Sequence, residues 1–157
     1  MRTGLLVSLP LAAAWLGAAL LFAAAVAPAA FAVLPARALA GALVGRVLPV
    51  LFVTGLAVGA AVAALEAAGA SAPFRRWRLV AAVTMLLACG IAQFAVAPRI
   101  ERVRAAIGPS IESLAPGDAR RAAFGRLHAV SVGWMGVAML AAGVVVVSGA
   151  LALRGRP

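Results

Sequence analysis

Four long stretches of this chain carry no charged side chain: residues 3–36, 47–65, 79–98 and 127–153. The shortest holds 19 residues, and a helix needs about 20 to cross about 30 Å of hydrocarbon. A charge at mid-membrane costs roughly 2.5–3.5 kcal/mol, so its absence over such lengths predicts bilayer-spanning helices. They fall near residues 5–27, 44–65, 78–97 and 126–152, within one domain covering 1–157. Arg46 lies just inside the second and is expected to snorkel outward. Arg2 followed by an apolar run and Ala25-Val26-Ala27 also fits a cleaved signal peptide. Signal cores are about 7–15 residues and this run is longer, which favours a retained helix.

The connections have characters of their own. Pro28 and Pro35 bracket an expected loop over 28–43, with Phe31 and Leu34 dipping into the interface. The stretch from Glu66 to Arg78 is short and ends in Arg75-Arg76-Trp77-Arg78, the Arg-plus-Trp composition of a membrane boundary. In the third connection Ile100, Val103, Ile107, Ile111 and Leu114 recur at helical spacing. That periodicity predicts an amphipathic interfacial helix between spans three and four, broken at Gly108-Pro109. Asp118 is placed to cap the last helix.

Composition agrees with the pattern. The chain is 66% hydrophobic and 11% charged, with mean hydropathy +1.12, against about 45–50% and about 25% in soluble domains. A soluble enzyme is excluded, and so is a disulfide-stapled secreted chain. The net charge of +10 comes from arginine alone among the bases. These arginines border the apolar runs, where they meet anionic lipid headgroups. No basic stripe interleaved with aromatics points to nucleic acid. Arginines on the two sides nearly balance; the Arg75–Arg78 cluster tilts the expected topology toward both termini inside.

Close packing is written into the second span, where Gly41 and Gly45 form one GxxxG pair and Gly55 and Gly59 another, on one stripe. The stripe serves either packing within the bundle or a homo-oligomer seam.

Trp15-x-Gly17, Ala27-Pro28 with Phe31, and Ala40-Gly41 with Gly45 follow one another in order. Ala97-Pro98 with Ile100, then Arg121, Phe124, Leu127-His128 and Ser131, complete the series. In order and spacing the chain resembles the bacterial branch of the transmembrane protein 205-like family, a four-helix membrane domain of unknown function. The resemblance implies a multi-pass protein of the bacterial inner membrane. Eukaryotic relatives are associated with platinum-drug resistance through export or vesicle traffic, so it also implies a transport or efflux-associated role. Met135 stands where the family pattern carries an asparagine, which departs from any polar role at that spot.

Polar groups inside a membrane are costly, which makes them functional candidates. His128, Ser131, Met135 and Met139 share one face of the last span, and Met85, Cys89 and Gln93 recur four apart in the third. Imidazole, thiolate and thioether together favour soft metal ions. Against this, methionine and buried cysteine commonly fill apolar cores, serine can bond its own helix, and His128 can be structural or proton-sensing. No catalytic motif is present, so the protein is not expected to be an enzyme, and no cofactor is expected. No inverted repeat is visible. The sequence therefore predicts an all-α, four-helix membrane bundle. Its role is either transport-associated, for a small solute or soft metal, or that of a structural subunit or assembly factor in a larger complex.

Overall fold

The computed structural model describes residues 2–69, 73–108 and 114–154. Four helices dominate it: α1 (Gly4–Val33, preceded by two further residues of the same helix), α2 (Arg37–Ala68), α3 (Arg75–Ile107) and α4 (Ala119–Arg154). All four are long and apolar enough to cross a membrane, and no strand occurs among the described residues. Each helix packs on the next and α4 closes back on α1, giving a ring of four.

At 30 to 36 residues, the helices are each about 45–54 Å long, well beyond the hydrocarbon thickness. In α2, α3 and α4 most of the surplus lies at the end away from the chain termini, where Arg37, Arg46, Arg99, Arg102, Arg104, Arg120, Arg121 and Arg126 cluster.

Two expected breaks are absent. The loop over 28–43 is only a turn at 34–36, because α1 continues to Val33 and α2 begins at Arg37. The interfacial helix is not a separate element either. Residues 97–107 are helical, as their periodicity predicts, but they continue α3 without interruption. The cause is the same in both places. A helical proline lacks an N–H and its ring strikes the carbonyl of residue i−4. Here those carbonyls belong to Ala24 and Phe94, which lie inside π-helical stretches at Phe22–Val26 and Ile91–Val96. The wider turn moves the carbonyl away, so Pro28 and Pro98 are carried inside the helix. α3 ends instead at Gly108, whose φ of 87° only glycine adopts readily. Ile111 lies outside the described residues, and Leu114 lies beyond the helix end.

The two π stretches expose a repeat. Ala25-Val26-Ala27-Pro28 recurs 70 positions later as Ala95-Val96-Ala97-Pro98. The same offset matches buried positions: Ser8, Ala12, Trp15, Ala19 and Phe22 with Arg78, Ala82, Met85, Cys89 and Ala92. In the return helices the offset is 80, and there Gly45-Arg46 corresponds to Gly125-Arg126. The α1–α2 and α3–α4 hairpins are thus two copies in the same orientation, a parallel rather than an inverted repeat.

Small residues set the core. A Cβ on Gly55 would stand 2.6 Å from the Cys89 sulfur and 2.8 Å from the Trp15 ring; one on Gly59 would stand 2.9 Å from the Leu86 backbone. Trp15 also donates its indole N–H to the Leu51 carbonyl at 2.9 Å. Both glycines face α3 inside the bundle, so they serve packing within the chain rather than an outer seam.

Candidate functional site

The two ends of the bundle differ. At the end carrying the termini, Arg78 and Glu66 are 1% and 5% exposed and form a bidentate pair, both N–H···O distances 2.9 Å. Arg78 also donates to the Pro73 carbonyl at 2.8 Å, and Arg75 to that of Ala67 at 2.8 Å. The boundary cluster of arginines is thereby divided: Arg76 and Trp77 stay exposed while Arg78 clamps α2 to α3. Within the sequence nothing singled out Arg78 from its neighbours; only its match to buried Ser8 of the first hairpin marks it.

At the opposite end a cavity of about 400 Å³ opens between α2, α3 and α4, with Phe31 of α1 at its edge. This falls in the range of small-molecule sites. Its apolar wall includes Val44, Leu48, Pro49 and Phe52 of α2. The polar groups come from the other hairpin: Gln93, Glu101 and Arg104 from α3, His128 and Ser131 from α4. The first-hairpin counterparts of Gln93, Glu101 and Arg104 are Ala23, Phe31 and Leu34, and those of His128 and Ser131 are Leu48 and Leu51.

The glycines of α2 shape the mouth. Arg104 reaches across to Gly41, donating to its carbonyl at 3.4 Å, and a Cβ on Gly45 would meet its guanidinium at 2.9 Å. The guanidinium lies 5.9 Å from the centre of the Phe124 ring, within cation–π range. Phe124 in turn stacks on exposed His128, 6.2 Å between centroids and 6° between planes. Glu101 accepts from Arg104 at 3.2 Å. Deeper, the Gln93 side-chain oxygen is buried and has no hydrogen-bond partner.

Nearby, Asp118 caps α4 as expected. Its carboxylate accepts the Arg120 backbone N–H at 2.8 Å and the guanidinium at 2.7 and 3.1 Å. The side-chain bonds first, and the backbone bond second, hold its carboxyl down to about 2.

The candidates singled out in the sequence fall into two groups. His128, Ser131, Gln93, Gly41 and Gly45 line the cavity, with Phe31, Pro98 and Phe124. Met85, Cys89 and Met135 lie in the buried core, with Met139 packed against it, as does Trp15. Cys89 is wedged against the Gly55–Trp15 contact. The two stripes of the expected metal path therefore do not meet as one set, and no group of three or more His, Cys, Asp or Glu lies together among the described residues. Gly17 and Pro28 are on the outer surface, Leu127 is half-buried, and Arg121 donates to the Leu114 carbonyl at 3.5 Å. Glu101 and Arg104 are not legible as site residues in the sequence, where their stretch reads as a separate surface helix; the repeated Ala-Val-Ala-Pro is the one sequence signal that could have placed them on α3.

No protein of curated function and no solved structure matches the chain. A family model described as a domain of unknown function, DUF4149, matches residues 11–108. It takes in α1 from residue 11, all of α2 and α3, and the α2–α3 part of the cavity wall. With more than half its length in that match, the chain belongs to the DUF4149 family.

Proposed function

We propose that this is a transport- or efflux-associated component of a bacterial inner membrane, close to the transmembrane protein 205-like proteins, and that it handles a small solute in the cavity. The observation that carries this is the cavity of about 400 Å³, whose α2 wall is apolar while Gln93, Glu101, Arg104, His128 and Ser131 line it from α3 and α4. Polar side chains gathered in a cavity at membrane depth are costly and mark solute pathways. A small solute suits this site better than a soft metal, because Met85, Cys89 and Met135 are held in close-packed core.

The test is to fill the cavity and follow function. Leu48→Trp should abolish any change in solute accumulation or drug tolerance that the wild-type protein confers on a strain lacking it. Wild-type behaviour of this variant, with normal expression and fold, would overturn the proposal. A second reading, a structural subunit or self-associating protein, draws on α4. Its Gly125, Gly133, Gly136 and Gly143 have open space where a Cβ would stand, room for the close approach of another helix. Substituting those glycines with leucine would then disrupt a complex and leave solute handling untouched.

A further inference from the structure

Three of the chain's six phenylalanines and its one histidine meet at the cavity: Phe31 of α1, Phe52 of α2, and Phe124 and His128 of α4. The lining is therefore aromatic from three helices, in a chain that is only 6% aromatic. Phe52 is 2% exposed and belongs to the packed core, so the ring it offers is fixed in place. Phe124 and His128 are parallel to within 6°, and a flat body laid on one lies parallel to the other. Offset and edge-on contacts between rings add to simple burial. A volume of about 400 Å³ is near the small end of ligand sites, about 300–1,000 Å³. It takes a compact body.

The mouth supplies one charge. Arg104 is the one guanidinium in the lining among the described residues, and three helices build its place. α3 carries it, a Cβ on Gly45 of α2 would stand 2.9 Å from it, and the Phe124 ring of α4 is 5.9 Å away. Its bonds are 3.2 Å to Glu101 and 3.4 Å to the Gly41 carbonyl, at or beyond the long end of the hydrogen-bond range. A carboxylate takes the guanidinium fork bidentately, with shorter and stronger bonds than these. The wider field agrees: among the described residues, eight arginines stand at this end against Glu101 and Asp118, which draws anions in.

We propose that the cavity binds a planar aromatic monocarboxylate, its carboxylate on Arg104 and its ring against Phe52, Phe124 and His128. This rests on the cavity being a solute site, and it names the solute's chemical class.

Full-length protein in nanodiscs of zwitterionic lipid would be titrated with 2-naphthoate, its neutral isostere 2-naphthamide, and the saturated decahydro-2-naphthoate. Nanodiscs of Leu48→Trp, with the cavity filled, give the blank for partition into lipid. Above that blank, 2-naphthoate should bind about tenfold more tightly than the amide and about threefold more tightly than the saturated acid. Arg104→Gln should bring the acid down to the amide and keep the preference for the flat ring. Phe124→Leu should reduce the ring preference and keep most of the charge preference. Each variant retains one of the two preferences, which shows that it is folded. Arg104→Lys, which keeps the charge but loses the fork, should fall between wild type and Arg104→Gln. Equal binding of acid and amide, or of flat and saturated acids, overturns the aromatic-acid assignment and leaves the solute cavity standing. Binding of no probe above the blank overturns the assignment as well; the solute reading falls with it only if Leu48→Trp also behaves as wild type in the accumulation or tolerance assay.

Discussion

The two hairpins are built on one plan and filled differently. Along α1 and α3 most of the buried positions of α1 match buried positions of α3 at an offset of 70, and both helices pass a proline by way of a π turn. Yet the first hairpin places Ser8, Ala23, Phe31 and Leu34 where the second has Arg78, Gln93, Glu101 and Arg104. The second hairpin thus supplies Arg78 to the buried pair with Glu66 of α2 at one end and the charged lining of the cavity at the other. In the first, small residues and an indole make the close contacts. Scaffold and chemistry have been divided between two copies of one fold unit, and the cavity lies where the polar copy meets the apolar one.

Breaking the buried pair should have the largest effect. Arg78→Met leaves Glu66 buried without its partner and should cost about 3–5 kcal/mol, read as a large drop in thermal midpoint in detergent. Adding Glu66→Leu should restore wild-type stability or exceed it, because the apolar pair has no desolvation penalty. Survival of the single variant at full stability would mean that the α2–α3 contact does not depend on this pair.

The glycines sharpen the contrast between inner and outer faces. Gly59→Ala sets a methyl 2.9 Å from the α3 backbone and should cost about 1–3 kcal/mol. Gly133→Ala, with nothing within 4 Å, should be neutral or stabilise by up to about 1 kcal/mol. Denaturation of the two variants side by side checks this; equal effects would mean the α2–α3 contact is looser than its geometry. Smaller again is Trp15→Phe, which removes the bond to the Leu51 carbonyl and should cost about 0.5–1.5 kcal/mol.

The smallest effect concerns the α4 cap. The Asp118 carboxyl is lowered in the folded protein to about 2, below the ordinary value of about 3.9. A depressed carboxylate contributes stability above its unfolded pKa, and that contribution fades as pH falls through about 2. NMR or hydrogen exchange at residues 119–122 should show fraying of this first turn below pH 3, and Asp118→Asn should remove most of the pH dependence. An unchanged profile in that variant would assign the fraying to another group.

How much of this was legible follows from which features are local. The charge-free runs found all four helices, since the cost of a charge in hydrocarbon does not depend on which helix is its neighbour. With prolines and charges as boundaries, the expected ends fall 2 to 10 residues short of the helices. Pro28 and Pro98 looked like helix ends because the π turns that accommodate them leave no local mark beyond the repeated Ala-Val-Ala-Pro. The Gly41, Gly45, Gly55 and Gly59 stripe was legible as a packing face, but its division was not. Gly55 admits Trp15 and Cys89 and Gly59 the α3 backbone, while the upper pair makes room for Arg104.

By itself, then, the sequence determined that the chain is helical and membrane-compatible, where the apolar spans run, and which polar side chains a bilayer would have to tolerate. Only the tertiary structure decided which of three neighbouring arginines is buried, that His128 and Gln93 share a cavity while Cys89 does not, and that Arg104 closes its mouth. Hydropathy is a sum along the chain and can be read in one dimension. Partnership depends on the rotation of each helix about its axis, which is fixed by close contacts between small residues on different helices and by a single extra residue in a π turn.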